Sequence, residues 1–577
     1  MGAGFSHNGK TLLSAVDPAG RADRVAGKVA VKDRTLYLCP SPLFGYGLER
    51  LLSRLADAPN SALLCVEADP EMFALSREHF SPALKSNPRL RLTSQRDAAA
   101  LCALLRREWG PRFFRRVETV RLSGGWQLFP ALYDSLAQSL QREIAIDWGN
   151  AMTLARLGRR YIRNALRNLA LIPRCPSLGQ LSFGEDPILV LGAGPSLDSL
   201  LDALPARFGK AHRLPETRPF RIACVDTCLP ALRERGITPD LVVVLESQHW
   251  NLDDFIGMSG WKVPAAFDLS ALPRSGAVLA GGVSLFFTPW ARLAIFQRLG
   301  SAGLLPEAVP PLGSVGLSAV SIARRLTRGA IITAGLDFAF TLDSYHARST
   351  GGHLGRLRRQ NRFAGLLNPR AAFDGTVLAA SKTGGKAITN PALRNYRDLF
   401  QREFAADPRI FDLAAGGLPL GIPSLSPEEA FGVLRGVGNG EWGMGNGGWG
   451  TGNGEWGSGE TRKARCQTVP VDKGNIAAAL AEKLRVFAQG EQGRLILLCD
   501  ILTGKAPMDH AALDTLVGEC DYLWAHFPDY AAAGRRPGRA EMEAGSPQAV
   551  SFLKRLRIEI DPFLELWDFT LRELSPR

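Results

Sequence analysis

Four short apolar runs, spread between residues 188 and 337, constrain the fold of this chain more than any other feature of its sequence. The first run is Ile188–Leu191, which leads into a glycine turn, and the other three end at Asp226, Glu246 and Asp337. Their β-branched composition, with amphipathic segments between them, predicts buried parallel strands joined by helices. The carboxyl ends of parallel strands share one edge, where open α/β sheets bind ligands. The pattern therefore predicts an α/β fold with a ligand site at that edge.

The turn after the first run, within LVLGAGPSLDS, departs from a dinucleotide-binding fingerprint. Gly192 and Gly194 are followed by Pro195 and Ser196, so the third glycine of G-x-G-x-x-G is missing. Asp226 lies 34 residues beyond Gly192, whereas the ribose-reading acid is expected roughly 20 residues on. Pro195 suits the first position of a helix, and a helix start offers free amides to an anion. The turn therefore favours a mononucleotide or nucleotide-sugar over NAD, and the alternative is a plain strand–helix connection.

Two further stretches are predicted to close the same site. PPLGSVGLSA is a second glycine–serine turn into a helix and carries Gly313 and Ser314. The loop after Asp337 carries His346, which is a candidate general acid or base, although a surface histidine is the alternative. No set of His, Asp and Glu residues has metal-ligand spacing, but the carboxylates at the sheet edge could hold Mg²⁺ on a phosphate.

Changes of pattern along the chain predict five regions. A Rossmann-like domain is expected over residues 1–145, a basic helical connector over 146–180 and the nucleotide-binding domain over 181–425. A tandem repeat rich in glycine and tryptophan, over 436–462, is expected to be a flexible insert, because so much glycine costs entropy to order. Residues 470–577 show apolar positions at helical spacing and predict a helical C-terminal region.

The first of these regions repeats the strand–turn–helix pattern in a weaker form. Its turn contains Gly45 and Gly47 at loose spacing, and the next apolar run leads into Glu67 and Asp69. An acid after the second strand is typical of a Rossmann-like half. Because the turn is rich in proline and its glycines are irregularly spaced, we expect a scaffold rather than a working cofactor site.

The composition of the chain limits the classes of ligand that it can bind and the cellular compartment that it suits. The net charge of +13 favours anionic ligands, but there is no motif typical of nucleic-acid binding. The longest weakly polar run, Gly276–Ala291, is too short and too interrupted to span a bilayer, and the first residues lack a secretory signal. Nine cysteines without a C-x-x-C pair suit reduced, mostly buried thiols. We therefore expect a cytoplasmic protein without a membrane span.

Taken together, four stretches resemble the bacterial motility accessory factors: VLGAGPSLD, VDT with ERGITPDLVVVLES, GSVGLSA, and GLDFAFT with SYHA. These proteins share a domain, called MptE-like, with the archaeal 6-hydroxymethyl-dihydropterin diphosphokinases. The resemblance covers residues 181–425 and extends to the N-terminal region. It implies a central Rossmann-like domain similar to bacterial sialyltransferases. It also implies transfer of a nonulosonic acid, a sialic-acid-like sugar, from a CMP donor to serine or threonine of flagellin.

The resemblance also assigns roles to the residues of the sheet edge. Leu336 stands where the family commonly has glutamine, and Glu246 stands where it often has aspartate, so the donor or the activity could differ. The implied nucleotide-binding residues are Gly192, Gly194, Pro195, Ser196, Asp226, Thr227, Gly313 and Ser314, and the implied catalytic residues are Glu246, Asp337 and His346.

Two other functions stay open at this point. A pterin diphosphokinase would transfer pyrophosphate from ATP with Mg²⁺, but it should not need a large additional N-terminal domain. A non-catalytic binding or scaffold protein would keep the fold without the chemistry. Ligand binding separates the three, because they predict CMP, ATP and no ligand respectively.

Overall fold

The computed structural model describes residues 4–7, 9–110, 113–208, 218–363, 365, 375–436, 467–468, 473–533 and 535–575. The predicted glycine- and tryptophan-rich insert, 436–462, lies outside the described residues except for Gly436. The chain forms two compact units, and the boundaries of the five predicted regions stay a prediction. Unit 1 comprises residues 1–159, 509–514 and 521–556, and unit 2 comprises residues 160–508, 515–520 and 557–577.

Unit 1 is built on a four-stranded parallel sheet in the order β5–β4–β3–β6, accompanied by a short antiparallel pair, β1–β2. The strands are β1 (Phe5–His7), β2 (Lys10–Leu13), β3 (Thr35–Pro40), β4 (Ala62–Val66), β5 (Leu90–Thr93) and β6 (Arg116–Thr119). The helices that begin here are α1 (Pro18–Lys28), α2 (Leu48–Arg54), α3 (Pro70–His79), α4 (Pro82–Ser86), α5 (Ala98–Glu108) and α6 (Pro130–Asn168), and the last residues of α6 belong to unit 2.

The turn after β3 has the contacts of a structural connection. The hydroxyl of Ser41 donates a hydrogen bond of 2.7 Å to Glu67, which is buried, and Asp69 caps the start of α3. Gly47 has φ +81°, and a Cβ there would lie 2.9 Å from the backbone carbonyl of Ala22. Glu67 and Asp69, the two acids that could bind the ribose of a nucleotide, therefore both make hydrogen bonds within unit 1.

Unit 2 contains a nine-stranded sheet in which every pair is parallel, in the order β13–β12–β11–β10–β9–β8–β14–β17–β18. Its central strands are buried throughout, because helices cover both faces of such a sheet. The strands of the unit are β7 (Leu181–Ser182), β8 (Ile188–Leu191), β9 (Arg221–Val225), β10 (Leu241–Val244), β11 (Ala265–Asp268), β12 (Val283–Phe287), β13 (Glu307–Ala308), β14 (Ile331–Ala334), β15 (Val377–Ala380), β16 (Lys386–Thr389), β17 (Ile410–Leu413), β18 (Ser424–Leu425) and β19 (Gln467–Thr468).

The four predicted apolar runs are β8, β9, β10 and β14, so the predicted α/β fold with a parallel sheet is confirmed. Two antiparallel pairs, β15–β16 and β7–β19, lie outside the large sheet. The helices are α7 (Leu197–Phe208), α8 (Leu229–Glu234), α9 (Pro273–Val278), α10 (Ala294–Ser301), α11 (Val315–Leu326), α12 (Gly351–Arg359), α13 (Pro391–Phe404) and α14 (Pro427–Leu434).

The C-terminal region is helical, as the apolar spacing predicts. It contains α15 (Lys473–Thr503), α16 (His510–Glu519), α17 (Pro528–Ala533), α18 (Arg539–Glu543) and α19 (Pro547–Leu574). Within the part of the chain that the structure describes, no helix is both long enough and apolar enough to cross a membrane. The eight described cysteines are free thiols.

The strand order of unit 2 creates a switch point next to β8. From β8 the chain builds the sheet outward to β13, and it then returns to place β14 on the other side of β8. Ligands of open α/β sheets bind at such a reversal, outside the carboxyl ends of the strands. The loops after β8 and β14 therefore lie side by side at the position where a ligand site is expected.

Candidate functional site

The glycine turn after β8 is interlocked with the loop after β14. The amide of Ser196 donates to Asp337 Oδ2 at 2.8 Å, and its hydroxyl donates to Asp337 Oδ1 at 2.5 Å. A Cβ on Gly192 would lie 2.5 Å from Leu336 Cδ2, and one on Gly194 would lie 2.6 Å from Asp337 Cγ. Both positions therefore require glycine, because the loop after β14 packs directly against them and leaves no space for a Cβ.

The start of α7 is consequently occupied by the protein's own carboxylates. Asp337 accepts the amide of Ser196, and Asp198 in the first turn accepts the amide of Arg348 at 3.1 Å. An anion at a helix start satisfies the free amides and the positive end of the helix dipole. In this arrangement, Asp337 accepts both the amide and the hydroxyl of Ser196, and nucleotide binding by this turn stays a prediction.

Pro195 does not have the predicted helical position. The helix begins at Leu197, two residues later, and Pro195 lies in the preceding turn. The amide of Leu197 donates to the carbonyl of Gly194 at 3.0 Å, which closes a tight turn before the helix starts. Ser196, which makes two hydrogen bonds to Asp337, therefore lies in this turn and not in the helix.

Asp337 lies in a buried cluster of ionisable side chains that the sequence did not reveal. Burial raises its pKa, while the hydrogen bonds from Ser196 and the charge of Lys382 oppose the shift. The ammonium group of Lys382 lies 2.7 Å from Asp412 Oδ2, and both side chains are almost wholly buried. Burial raises the pKa of Asp412 to about 6, with Lys382 opposing it. The predicted catalytic role of Asp337 stays a prediction, and its hydrogen bonds are those of a loop clamp.

A second group of acids lies at the end of β9. Asp226 is buried and accepts the amide of Thr227 at 3.0 Å, and the hydroxyl of Thr227 donates to Asp254 Oδ2 at 3.3 Å. Burial raises the pKa of Asp226 to about 6 and that of Asp254 to about 7, and the charge of Asp226 adds to the shift at Asp254. Sequence reasoning missed Asp254, which lies in a 3-10 helix rather than at a strand end.

Glu246 follows β10 and is half-buried, and its charge affects the pKa values of two tyrosines. Its Oε1 accepts the amide of Gln248 at 2.9 Å. Burial and then the charge of Glu246 raise the pKa of Tyr161 to about 12. Burial, Tyr345 and Glu246 raise the pKa of Tyr396. The raised pKa values keep both phenols protonated at neutral pH, and neither tyrosine follows a strand, which is why sequence reasoning missed them.

The second glycine–serine turn adjoins the same tyrosine. Gly313 has φ +69°, and a Cβ there would lie 3.4 Å from a ring carbon of Tyr396. Ser314 occupies the N-cap of α11 without a side-chain capping bond, and the first turn of this helix has no acid. The start of α11 thus differs from that of α7, where two carboxylates are in place.

Leu336 joins the two glycine turns. Its Cδ2 would be 2.5 Å from a Cβ on Gly192 and 2.7 Å from a Cβ on Gly316, and the side chain is only 5% exposed. The glutamine that the resemblance implies would bring an amide to this position. In this chain the contact is apolar.

His346 lies in the same neighbourhood. It is half-buried, and its ring meets that of Tyr345 edge-on with centroids 4.9 Å apart. A Cβ on Gly352 would lie 3.4 Å from His346 Nδ1. Among the residues that the structure describes, no three His, Cys, Asp or Glu side chains are arranged to hold a metal ion. Mg²⁺ on a nucleotide phosphate stays a prediction.

Three comparisons place the chain among known proteins. The family model described as 6-hydroxymethylpterin diphosphokinase MptE-like matches residues 162–343. An uncharacterized protein of Treponema pallidum (strain Nichols) is 30% identical over 569 residues, which covers 94% of this chain and 90% of the relative. The solved structure of a MAf glycosyltransferase from Magnetospirillum magneticum AMB-1 matches with a TM-score of 0.52 at 14% identity, covering 99% of this chain and 88% of that one. The chain therefore contains an MptE-like domain, belongs to one family with the Treponema pallidum protein, and shares its fold with the MAf glycosyltransferase.

Proposed function

We propose that this protein is a glycosyltransferase that moves a nonulosonic acid from a CMP donor to serine or threonine of flagellin in the cytoplasm. Glu246 carries the proposal, because it is a half-buried acid that follows β10 at the carboxyl edge of the sheet, and its charge contributes to the raised pKa values of Tyr161 and Tyr396. The MptE-like domain and the fold shared with the solved MAf glycosyltransferase support it.

The donor phosphate is proposed to bind between the start of α11 and Tyr396. Among the described residues, the Ser314 side chain makes no capping bond and the first turn of α11 contains no acid, and Gly313 adjoins the ring of Tyr396. Amides and phenols are suitable donors for the charge that grows on a departing phosphate. The first glycine turn then shapes the wall of the site through Leu336 instead of holding the phosphate itself.

The transfer needs one bond to form and one to break. The acceptor hydroxyl oxygen bonds to the anomeric carbon of the sugar, while the bond from that carbon to the phosphate oxygen of CMP breaks. Glu246 is proposed to take the hydroxyl proton, and the tyrosines to stabilise the departing CMP by hydrogen bonds. His346 lies next to Tyr345, near the same residues, and is the second candidate for the proton.

Ligand-dependent melting of the purified full chain tests the donor class. We expect CMP to raise the melting temperature, and ATP or NAD to leave it unchanged, with and without Mg²⁺. Stabilisation by ATP and Mg²⁺ alone would instead support a pterin diphosphokinase, the activity in the name of the matching family model. If none of the three binds, the proposal fails in favour of a non-catalytic scaffold.

Glu246→Gln tests the proposed base. The amide keeps the size of the side chain but cannot accept the proton, so we expect CMP to bind normally and transfer to co-expressed flagellin to fall about 10²- to 10⁴-fold. Intact-protein mass spectrometry of the flagellin measures the transfer. Asp343→Asn, in the exposed part of the loop after β14, is the matched control and should transfer normally. Full transfer by Glu246→Gln would remove Glu246 from the mechanism.

A further inference from the structure

We propose that a cavity between the end of α6 and the end of α19 is a second ligand site, which takes a small phosphate monoester with an apolar or aromatic body. The cavity has a volume of about 610 Å³. Its described lining residues all belong to unit 2, and none of them is among the candidate-site residues at the sheet edge. Ligand cavities in proteins commonly measure about 300–1,000 Å³, so a small organic molecule fits.

One part of the cavity wall is apolar. Leu171, Pro273, Pro562, Leu566 and Phe569 contribute to it. Phe569 is 38% exposed, although it is a large apolar side chain. An aromatic ring that faces a cavity offers a flat surface on which a ligand ring can stack. The apolar wall therefore suits a ligand whose body is apolar or aromatic.

The other part of the wall is charged, and its internal pairing leaves two arginines over. The described charged lining residues are Arg163, Arg167, Arg174, Arg572, Glu565, Asp568 and Glu573. Arg174 lies 3.1 Å from Glu573, and Asp568 accepts a hydrogen bond from the side chain of Gln492. Among the residues that the structure describes, Arg167 and Arg572 have no ion-pair partner and make no side-chain hydrogen bond. Their guanidinium groups are therefore available to a ligand.

A contact between the two helices places both arginines at one end of the cavity. The hydroxyl of Thr570 donates to the carbonyl of Leu166 at 3.0 Å. Arg167 directly follows Leu166, and Arg572 comes two residues after Thr570. Glu565, which also lacks an ion-pair partner among the described residues, precedes Arg572 by seven positions, or about 10 Å along the helix axis. The backbone positions of the two arginines therefore mark a basic end of the cavity, away from Glu565.

The two unpaired guanidinium groups indicate the class of anion. Each carries one positive charge, and a phosphate monoester carries about −1.5 to −2 at neutral pH, so one such group balances both. A carboxylate, with one negative charge, balances only one of them. Guanidinium groups also match phosphate oxygens with two parallel hydrogen bonds. Glu565 and Asp568 would repel the additional charges of a di- or triphosphate, so the lining favours a single phosphate.

The cavity adjoins the loops of the candidate site without being part of it. Asn168 lines the cavity and donates to the carbonyls of Leu269 and Ala271, at 2.9 Å each. The amide of Leu272 donates to the carbonyl of Glu246 at 3.0 Å. A ligand in the cavity would therefore lie beside the loop after β11, and that loop contacts the backbone of Glu246.

Calorimetric titration of the full chain with phenyl phosphate tests the site, because this probe joins one phosphate monoester to an aromatic ring. We expect saturable binding that is at least about tenfold tighter than that of benzoate, which has a single negative charge. Arg167→Met and Arg572→Met should each weaken the binding at least about tenfold, because each removes hydrogen bonds to a charged group. Arg402→Met, at an exposed position of α13, is the matched control and should bind like the wild type.

Further variants separate the two parts of the wall. Phe569→Ala should weaken the binding of phenyl phosphate and leave the binding of inorganic phosphate unchanged, because only the first probe has a ring. Both arginines are exposed, so their variants should fold, and Arg167→Gln and Arg572→Gln replace any methionine variant that does not.

Three results would overturn the proposal. The first is a wild type that does not bind phenyl phosphate saturably. The second is equal affinity for phenyl phosphate in the wild type and in the double variant Arg167→Met/Arg572→Met. The third is benzoate binding as tight as that of phenyl phosphate, because it would exclude a phosphate site.

The double variant also keeps this site apart from the proposed donor site. CMP is itself a phosphate monoester, so we expect it to enter the cavity of the wild type as well. The double variant removes that binding, and any stabilisation by CMP that remains belongs to the donor site. If none remains, the proposed donor site fails, whereas the titration with phenyl phosphate still decides the role of the cavity.

Discussion

At the residue scale, Asp226 and Asp254 are two carboxyl groups that share one buried position. The hydroxyl of Thr227 connects them, and a Cβ on Gly351 would lie 2.2 Å from Asp254 Oδ1, so the backbone of α12 closes over the pair. Burial raises the pKa of both groups above that of an unfolded chain. Each group then holds its proton in the folded state at a pH where the unfolded chain has lost it. The stabilisation is fully present below about pH 4 and is lost as the pH rises to about 7.

Asp254→Asn should remove the contribution of Asp254 to this pH dependence. The amide cannot ionise. We therefore expect the free energy of unfolding of the variant, measured relative to that of the wild type, to increase by about 2 kcal/mol between pH 4 and pH 7.5. Urea unfolding at several pH values measures the difference. Asp253→Asn, at the exposed neighbouring position, is the control and should run parallel to the wild type. A difference between Asp254→Asn and wild type that does not change with pH would contradict the prediction.

At the scale of elements, the end of α6 fixes the loops that carry the site. The amide of Asn164 donates to the carbonyls of Ser247 and Ser270, and that of Asn168 donates to the carbonyls of Leu269 and Ala271. These carbonyls lie in the loops after β10 and β11, next to Glu246. Buried carbonyls need hydrogen-bond donors. The side chains of α6 supply these donors to the buried loops in place of water. Two asparagines one turn apart thus secure the carboxyl edge of the sheet.

Asn168→Ala should destabilise the protein by about 2–4 kcal/mol, because two buried carbonyls lose their donor. Urea unfolding measures the loss. Asn168→Asp keeps the size of the side chain but puts an acceptor against the two carbonyls, so it should be at least as destabilising. A variant as stable as the wild type in either case would show that the amide bonds contribute little.

At the scale of the whole molecule, buried acids set how stability responds to pH. Unit 1 holds Glu67, whose pKa burial raises to about 7, and unit 2 holds Asp226, Asp254 and Asp412 with raised pKa values. The contribution of these groups to the free energy of unfolding falls as the pH rises from about 4 to about 7. Other acids, such as Glu108, Asp407 and Glu429, have pKa values lowered by hydrogen bonds, and their contribution is lost only as the pH falls below about 4.

The melting temperature of the full chain should therefore be highest near pH 5. We expect it to fall by at least about 2 °C between pH 5 and pH 7.5, and to fall again below about pH 4. Differential scanning fluorimetry across this range measures the profile. A melting temperature that rises steadily from pH 5 to pH 7.5 would contradict the prediction.

Much of the architecture follows from local sequence. The runs that became β8, β9, β10 and β14 are apolar and β-branched, and a strand buried on both faces needs only that composition. Because the side chain that ends a strand must lie at the edge of the sheet, Asp226, Glu246 and Asp337 could be placed there from sequence alone. The helical C-terminal region followed in the same way from apolar spacing. The roles predicted for these side chains remain predictions.

Only the tertiary structure decided which side chains meet. Ser196 binds Asp337, Lys382 pairs with Asp412, and Thr227 donates to Asp254, although the two partners of each contact lie far apart in the sequence. Sequence periodicity reports which face of an element is buried, and it carries no distance between remote loops. Those distances are set when the strand order brings the loops together, and burial then fixes which carboxylates keep a charge. The sequence alone determined a parallel sheet with acids along its edge, and the packing determined that one of those acids closes a loop that the sequence assigned to a ligand.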